Sequence, residues 1–392
     1  MVNKKRLIHL TQGLIRINSE NPPGDESRIA AFVEGLLEKL GLKTRIVEFE
    51  KRRSNVIGVL AGKDRTRSLI VTPHLDTVPA GRSWKRDPFS GEIDRGRIYG
   101  LGATDCKGNL ACLLESITSL VEEGVVLDYD LVFCATADEE TNSGLGLIPL
   151  LEKGILKADA ALILDADDFK IVVTQKGLLH LKIKVKGRRA HGAYPEMGVN
   201  AIDLAMDIIR DVKAHRFHYK KNKFLKPPTV NLGTIKGGDK VNIVADWCEF
   251  ELDVRFLPGM RSGEMLKAIR QIVLSRTRKF KIEIEGIQAP YQISETHPLV
   301  SSLKQAFTRT GVRPEVEGSE GATVITFFQE KNIPAVATGF GAAGAAHTAD
   351  EYVRINDLVK GARLLEELFK NINLAQWKRG KTHGRNYCHK EA

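Results

Sequence analysis

Apolar residues recur at helical spacing over residues 4–17 and 26–40, then give way to short strand-like runs at 44–49, 55–60 and 69–72. The helical period returns at 109–123 and 144–153, and between and after these lie the buried-strand runs 130–137 and 160–164. This alternation predicts an α/β fold with a mainly parallel sheet covered by helices on both faces.

From residue 178 the rhythm changes. Strand 178–186, helix 200–213, strands 229–235 and 249–256, helix 263–276 and strand 281–285 spell βαββαβ, the order of a split-βαβ, ferredoxin-like sandwich. Turn-forming residues at 290–298 then lead into helices 299–309 and 322–330, strand 335–337 and helix 356–369. The pattern places an inserted βαββαβ domain at 178–288 between two segments of a first domain, 1–177 and 289–392. No internal repeat interrupts it.

At 392 residues the chain is long enough for two or three ordinary cores. Hydrophobic residues at 42% and charged residues at 28% exclude a disordered or fibrous class. The net charge of +10 raises nucleic acid or a membrane surface as partners. The basic residues are dispersed, however, so the expectation is a lysine-rich solvated surface, with no nucleic acid and no membrane. Two basic clusters stand apart, a surface loop at 215–226 and a frayed C-terminal tail at 378–390. Five cysteines (Cys106, Cys112, Cys134, Cys248, Cys388) without CxxC spacing predict reduced thiols in a cytoplasmic protein. The N-terminal pattern, broken by His9, Gln12 and Arg16, reads as an amphipathic helix and not a signal sequence.

The candidate chemistry sits where apolar runs end. His74-Leu75-Asp76 follows one run, Asp138-Glu139-Glu140 another, and Asp105 lies in a turn-rich segment from Gly100 to Asn109. Asp165 follows a third run, and His347 comes late in the chain. In open α/β sheets ligand sites gather beyond the carboxyl ends of strands. Each residue alone has an ordinary explanation as a turn, a cap or a solvated helix start. Together, carboxylates and imidazoles form a donor mix that zinc accepts, and so many clustered acids repel one another without a cation. Adjacent Glu139 and Glu140 cannot both meet one ion in the same way, which suggests that one ligates and one moves protons.

Rival chemistries are weaker. Gly339-Phe340-Gly341-Ala342-Ala343-Gly344 fits GxGxxG, but the next helical pattern begins only near residue 356, too late for a dinucleotide site. No GxSxG occurs, which removes a serine elbow.

Six segments, taken in order, resemble the cocatalytic zinc peptidases and deacylases, a family that includes acetylornithine deacetylase, succinyl-diaminopimelate desuccinylase, aminoacylase, glutamate-releasing carboxypeptidases and several dipeptidases. They are His74-Leu75-Asp76-Thr77-Val78-Pro79, Gly100 to Gly108, Asp138-Glu139-Glu140, Asp165, His191-Gly192-Ala193-Tyr194-Pro195 with Asn200-Ala201, and His347-Thr348-Ala349-Asp350-Glu351. The resemblance covers nearly the whole chain. It implies two zinc ions, or cobalt or manganese in their place: His74 and Asp165 on one, Glu140 and His347 on the other, Asp105 bridging. It implies that Asp76 accepts the second imidazole N–H of His74, and that Glu139 is the general base toward a metal-bridging hydroxide. It further implies a cis peptide at Asp105-Cys106, a lid and dimerisation role for the inserted domain, and a homodimer in which His191 reaches a partner's site as oxyanion donor. Asn242, Arg255 and Thr323 match positions near the substrate.

The implied activity is hydrolysis of the amide of an N-acyl amino acid or short peptide. Asp165 stands where many of the family's deacylases carry glutamate, Cys106 where methionine is commoner, and Val324 where the biosynthetic deacylases often have aspartate. These departures keep open a dipeptidase or carboxypeptidase. From another class, a non-catalytic binding protein on the same fold is the alternative.

Overall fold

The computed structural model describes residues 1–165 and 168–377, and it contains two compact units. Among the described residues, the first is built from 1–173, 293–317 and 323–377, and the second from 174–292 with 318–322. Cys388 and the basic tail 378–390 lie outside the described residues.

The first unit is organised on a large sheet. At its centre Ser68–Thr72 runs parallel to Asp130–Ala135 on one side and to Ala160–Ile163 on the other, and Ala335–Ala337 extends the parallel set. Antiparallel strands flank this centre: Ser54–Leu60 beside Asp130–Ala135, Lys43–Glu48 beyond it, and Lys170–Gln175 against Ala335–Ala337. Leu69, Ile70, Phe133, Ala161 and Ile163 have no solvent exposure, so both faces are covered. That is why these strands read as continuous apolar runs and not as alternating ones. Helix Lys107–Glu122 packs against Lys4–Ile15 and Ile355–Asn371. In Ile355–Asn371, Leu358, Ala362, Leu365 and Phe369 repeat at helical spacing and are buried, while Gly361 lies so close to Phe340 that a Cβ there would stand 2.3 Å from its ring.

In the second unit Thr229–Gly237, Trp247–Phe256, Gly177–Lys186 and Phe280–Gln288 form an antiparallel sheet in that order. Along Gly177–Lys186, Leu179, Leu181, Ile183 and Val185 enter the core, whereas Lys182 and Lys184 pair outward with Glu251 and Glu283. Helices Ala201–Ala214 and Ser262–Arg276 supply Ala205, Ile208, Val212, Met265, Ile269 and Val273 to the same core.

The structure departs from the sequence pattern at short or unpunctuated elements. Lys170–Gln175 is a strand that the pattern leaves unassigned, because Lys176 alone separates it from the next strand. A small sheet of Ile93–Asp94, Arg97–Tyr99 and Tyr352–Arg354 was also not expected; its strands are two or three residues long, too short for periodicity. Its hairpin turns on Arg95 and Gly96, with φ of 46° and 77°, as a type I′ turn requires. The helices expected at 144–153 and 322–330 are shorter, Leu147–Glu152 and Ile325–Glu330. The second unit, 174–292 with 318–322, encloses the 178–288 stretch read from the pattern, and Tyr291–Gln292 pairs antiparallel with Thr174 and Gln175. Among the described residues no helix is long and apolar enough to cross a membrane.

Two glycines in helices make opposite predictions. Gly361→Ala forces a methyl against Phe340 and should cost about 1–3 kcal/mol. Gly35, in helix Ser27–Lys39, has nothing within 4 Å of the position of a Cβ, so Gly35→Ala should stabilise by about 0.5–1 kcal/mol. Urea midpoints that move in opposite directions at constant m-value are the expected result.

Candidate metal centre

His74 follows Ser68–Thr72 and Pro73 directly, and its segment is held beside the neighbouring strand by Leu75 N–H donating to Thr136 O at 2.7 Å. The imidazole is 2% exposed. Its Nδ1 lies 2.9 Å from the backbone carbonyl of Asp76, so Nδ1 carries the proton and Nε2 presents a lone pair. Nε2 stands 2.9 Å from Asp105 Oδ1 and 3.7 Å from Asp165 Oδ1. Asp105 turns its other oxygen, Oδ2, to His347 Nε2 at 3.2 Å, and Glu140 Oε2 lies 3.1 Å from the same nitrogen. One carboxylate thus lies between two imidazoles, each with a further acid beside it.

Asp105 is fixed from outside the cluster. The buried carboxylate of Glu351 accepts the N–H groups of Gly102, Thr104 and Asp105 at 2.9, 2.8 and 3.0 Å. The Asp105-Cys106 peptide is cis. Cys106 comes close enough to count as a donor with His74 and Asp105, yet its thiol faces the backbone N and O of His74 at 3.1 and 3.4 Å. Burial pushes that thiol up to about 12, which keeps it protonated and unsuited to ligation.

Asp76 has a different task from the expected one. Its carboxylate oxygen is 3.6 Å from His74 Nδ1, too far for a good hydrogen bond, and the carbonyl of the same residue takes that proton. The carboxylate accepts instead the amide N–H groups of Glu139 and Glu140, both at 3.1 Å, and the side-chain amide of Asn21 at 2.9 Å. Asp76 therefore fixes the backbone that presents the paired glutamates.

The electrostatics fit a cation. Burial, with the charges of Asp105 and Glu140, pushes Asp165 up to about 6, and burial with Asp165 and Asp105 pushes Glu139 well above the carboxylate range. Against burial, hydrogen bonds from His347 and His74 hold Asp105 below its ordinary value. Asp105 and Glu140 raise His347 to about 10. The acids draw protons onto an imidazole that a metal ion would otherwise occupy. Nitrogen and oxygen donors of Asp105, Glu140 and His347 all lie within 4.8 Å of one another, a set suited to zinc or a similar divalent ion.

The remaining candidates stand elsewhere. His191, Asn242 and Arg255 belong to the second unit. There His191 pairs in register with Ile243, and Gly192 N–H donates to Asn242 O at 2.8 Å, so His191 and Asn242 are neighbours. Arg255 places its fork on Asp253 at 2.8 and 3.1 Å. Thr323 lies in the loop before Ile325–Glu330 of the first unit. The glycine motif at 339–344 opens no helix; the next one is Ile355–Asn371. Sequence reasoning gave no role to Glu351, Asn21, Glu26 or Arg53. Glu351 stood inside a quoted motif, and Asn21 opens the turn signal Asn21-Pro22-Pro23-Gly24.

The model of peptidase family M20/M25/M40 matches residues 70–371. The chain is 32% identical over 360 residues to an acetylornithine deacetylase of Edwardsiella ictaluri (strain 93-146), covering 88% of this chain and 91% of that one. Among solved structures it is similar to a tripeptidase from Staphylococcus aureus subsp. aureus Mu50, with a TM-score of 0.81 at 24% identity over 95% of this chain and 99% of that one. It is also similar to a dinuclear metal-binding peptidase of the M20 family from Bacillus subtilis, with a TM-score of 0.72 at 17% identity over 93% and 97% of the two chains.

If Asp105 is shared and His347 serves one side, His347→Ala should retain about one ion per chain after dialysis where the parent retains about two, and Asp105→Ala should retain neither firmly. Metal analysis of the dialysed proteins reads this directly, and a full complement in Asp105→Ala would count against the shared carboxylate.

Proposed function

The chain belongs to peptidase family M20/M25/M40 and is a metal-dependent amidohydrolase, and from that premise we propose that it cleaves the amide bond of N-acyl amino acids or short peptides at the centre built around Asp105. His74 and Asp165 would hold one ion and Glu140 and His347 the other, with Asp105 available to both. The observation that carries this reading is the placement of the two Asp105 oxygens, one toward each imidazole at 2.9 and 3.2 Å. Zinc, cobalt or manganese, if bound there, would supply the Lewis acidity that polarises a carbonyl oxygen and acidifies water near neutral pH.

The chain's own groups do the rest. Glu139 is held by its backbone to Asp76 and is raised in pKa by burial and by the acids around it. A carboxylate so placed takes a proton from the attacking water and returns it to the departing amine. His191 is proposed as the donor to the developing oxyanion. Its Nδ1 accepts the Ala193 N–H at 3.0 Å, which leaves the proton on Nε2, the nitrogen free to donate outward from an exposed side chain. Arg255 is proposed to exchange Asp253 for a substrate carboxylate, with Asn242 and Thr323 as further substrate contacts.

The relative at 32% identity favours an N-acyl amino acid as substrate. Asp165, in place of the glutamate many deacylases carry, favours the second reading, a dipeptidase or carboxypeptidase. A homodimer is proposed through the second unit, where Thr229–Gly237 is an edge strand and Tyr194, Met197 and Val241 are 60%, 65% and 101% exposed. The unpaired thiols Cys106, Cys112, Cys134 and Cys248 support a reducing, cytoplasmic setting.

Free-amine release by the metal-loaded protein from acetyl-, succinyl- and other acyl amino acids and from dipeptides, each with a chelator control, separates the two substrate readings. Glu139→Gln should lower kcat by about 10²–10⁴ while the metals stay bound, and undiminished turnover would remove Glu139 as the base. Mixing His191→Ala with Glu139→Gln protein should restore roughly a quarter of parental activity, because half of the dimers would be mixed and each of those would hold one intact site. No recovery despite subunit exchange would remove the shared oxyanion donor.

A further inference from the structure

Behind the paired glutamates lies a buried charged network that the reaction itself does not use. Arg53 is 8% exposed, Asp138 4%, and Glu26 and Asp76 are fully buried. Arg53 places Nε and Nη2 on the two oxygens of Glu26, each at 2.9 Å, and Nη2 also reaches Asp138 Oδ1 at 3.1 Å. The seat for the guanidinium is built by Gly24, where φ is +81° and a Cβ would stand 2.4 Å from Arg53 Cζ. Burial pushes the Glu26 carboxyl up, Arg53 pulls it back, and the Asp76 charge adds to the rise.

Asp138 opens the segment that carries Glu139 and Glu140, and its φ is +64°. A non-glycine residue at such a φ persists where surrounding bonds over-determine it. Asp138 Oδ1 accepts from Thr141 Oγ1 at 3.0 Å, and Oδ2 accepts from Leu145 N–H at 3.1 Å. Asn21 joins this side to the other, donating to Thr141 Oγ1 at 2.6 Å and to Asp76 Oδ2 at 2.9 Å. Asp76 in turn holds the Glu139 and Glu140 amides. Every bond leads to the orientation of one turn.

We propose that Arg53 is a positioning residue for the Asp138-Glu139-Glu140 turn, acting as a forked bridge that holds Asp138 against Glu26 so that Glu139 faces the reacting water and Glu140 faces its ion. This rests on the reading of Glu139 as base and Glu140 as ligand given above. The fork matters, not merely the charge: a lysine in the same place offers a point ammonium that cannot span both carboxylates in fixed geometry. Removing the cation outright would leave Glu26 buried and unpaired, a cost that reflects folding and not positioning. The informative variants are therefore Arg53→Lys and the charge-balanced double substitution Glu26→Gln with Arg53→Met.

Both variants are compared with the parent for kcat, KM and metal retained against graded chelator. The expectation for each is a kcat lower by about 10–100-fold with KM within about twofold, and loss of the more weakly held ion at about tenfold lower chelator. A folded Arg53→Lys protein with kcat and metal retention both within about twofold of the parent would overturn the proposal. Glu139→Gln is run alongside: if it remains active the base assignment fails, while the chelator readout still decides the part played by Arg53.

Discussion

The two oxygens of Asp105, turned toward His74 and His347, are the constraint around which the rest is arranged. A carboxylate in that position must be held on both sides, because the surrounding acids repel it and burial disfavours its charge. Glu351 fixes it through three backbone amides, and the imidazoles satisfy its oxygens. Most of the large sheet serves to bring these groups together: the parallel strands end side by side, and the loops that follow carry His74, the paired glutamates and Asp165.

The same constraint explains why so much charge is buried near the centre. Asp76 and Asp138 are acids that contact protein donors, not the imidazole nitrogens that face the ligand cluster. Their bonds are to backbone amides, to Asn21, to Thr141 and to Arg53, and these convert charge into the orientation of a short turn. Isolated buried charges of this kind are costly. Satisfied hydrogen bonds together with the cation of Arg53 make the arrangement tolerable, and they fix the turn more tightly than apolar packing of a loop could.

The central sheet and the βαββαβ unit were legible because their strands obey simple periods, continuous where both faces are buried and alternating where one is open. His74, Asp165 and the paired glutamates were legible as candidates because they follow those runs, whereas Asp105 and His347 lie in turns. What escaped were the elements without a period: Arg97–Tyr99 and Tyr352–Arg354, paired across more than two hundred residues of chain, and Lys170–Gln175, with no turn to set it apart. The task of Asp76 escaped for a related reason. Whether its carbonyl or its carboxylate meets His74 depends on how the chain turns after residue 74, and a motif does not encode that choice. Arg53 stands two residues from the start of a predicted strand and carries no local signal; its partners Glu26 and Asp138 are 27 and 85 positions away.

The proposed placement of Asp105 between two metal ions is open to direct observation. Anomalous difference maps collected at the zinc edge from crystals of zinc-loaded protein test it most directly. Two peaks flanking Asp105 are expected, one beside His74 and Asp165 and the other beside Glu140 and His347. A single peak, or two peaks neither of which touches Asp105, would contradict it.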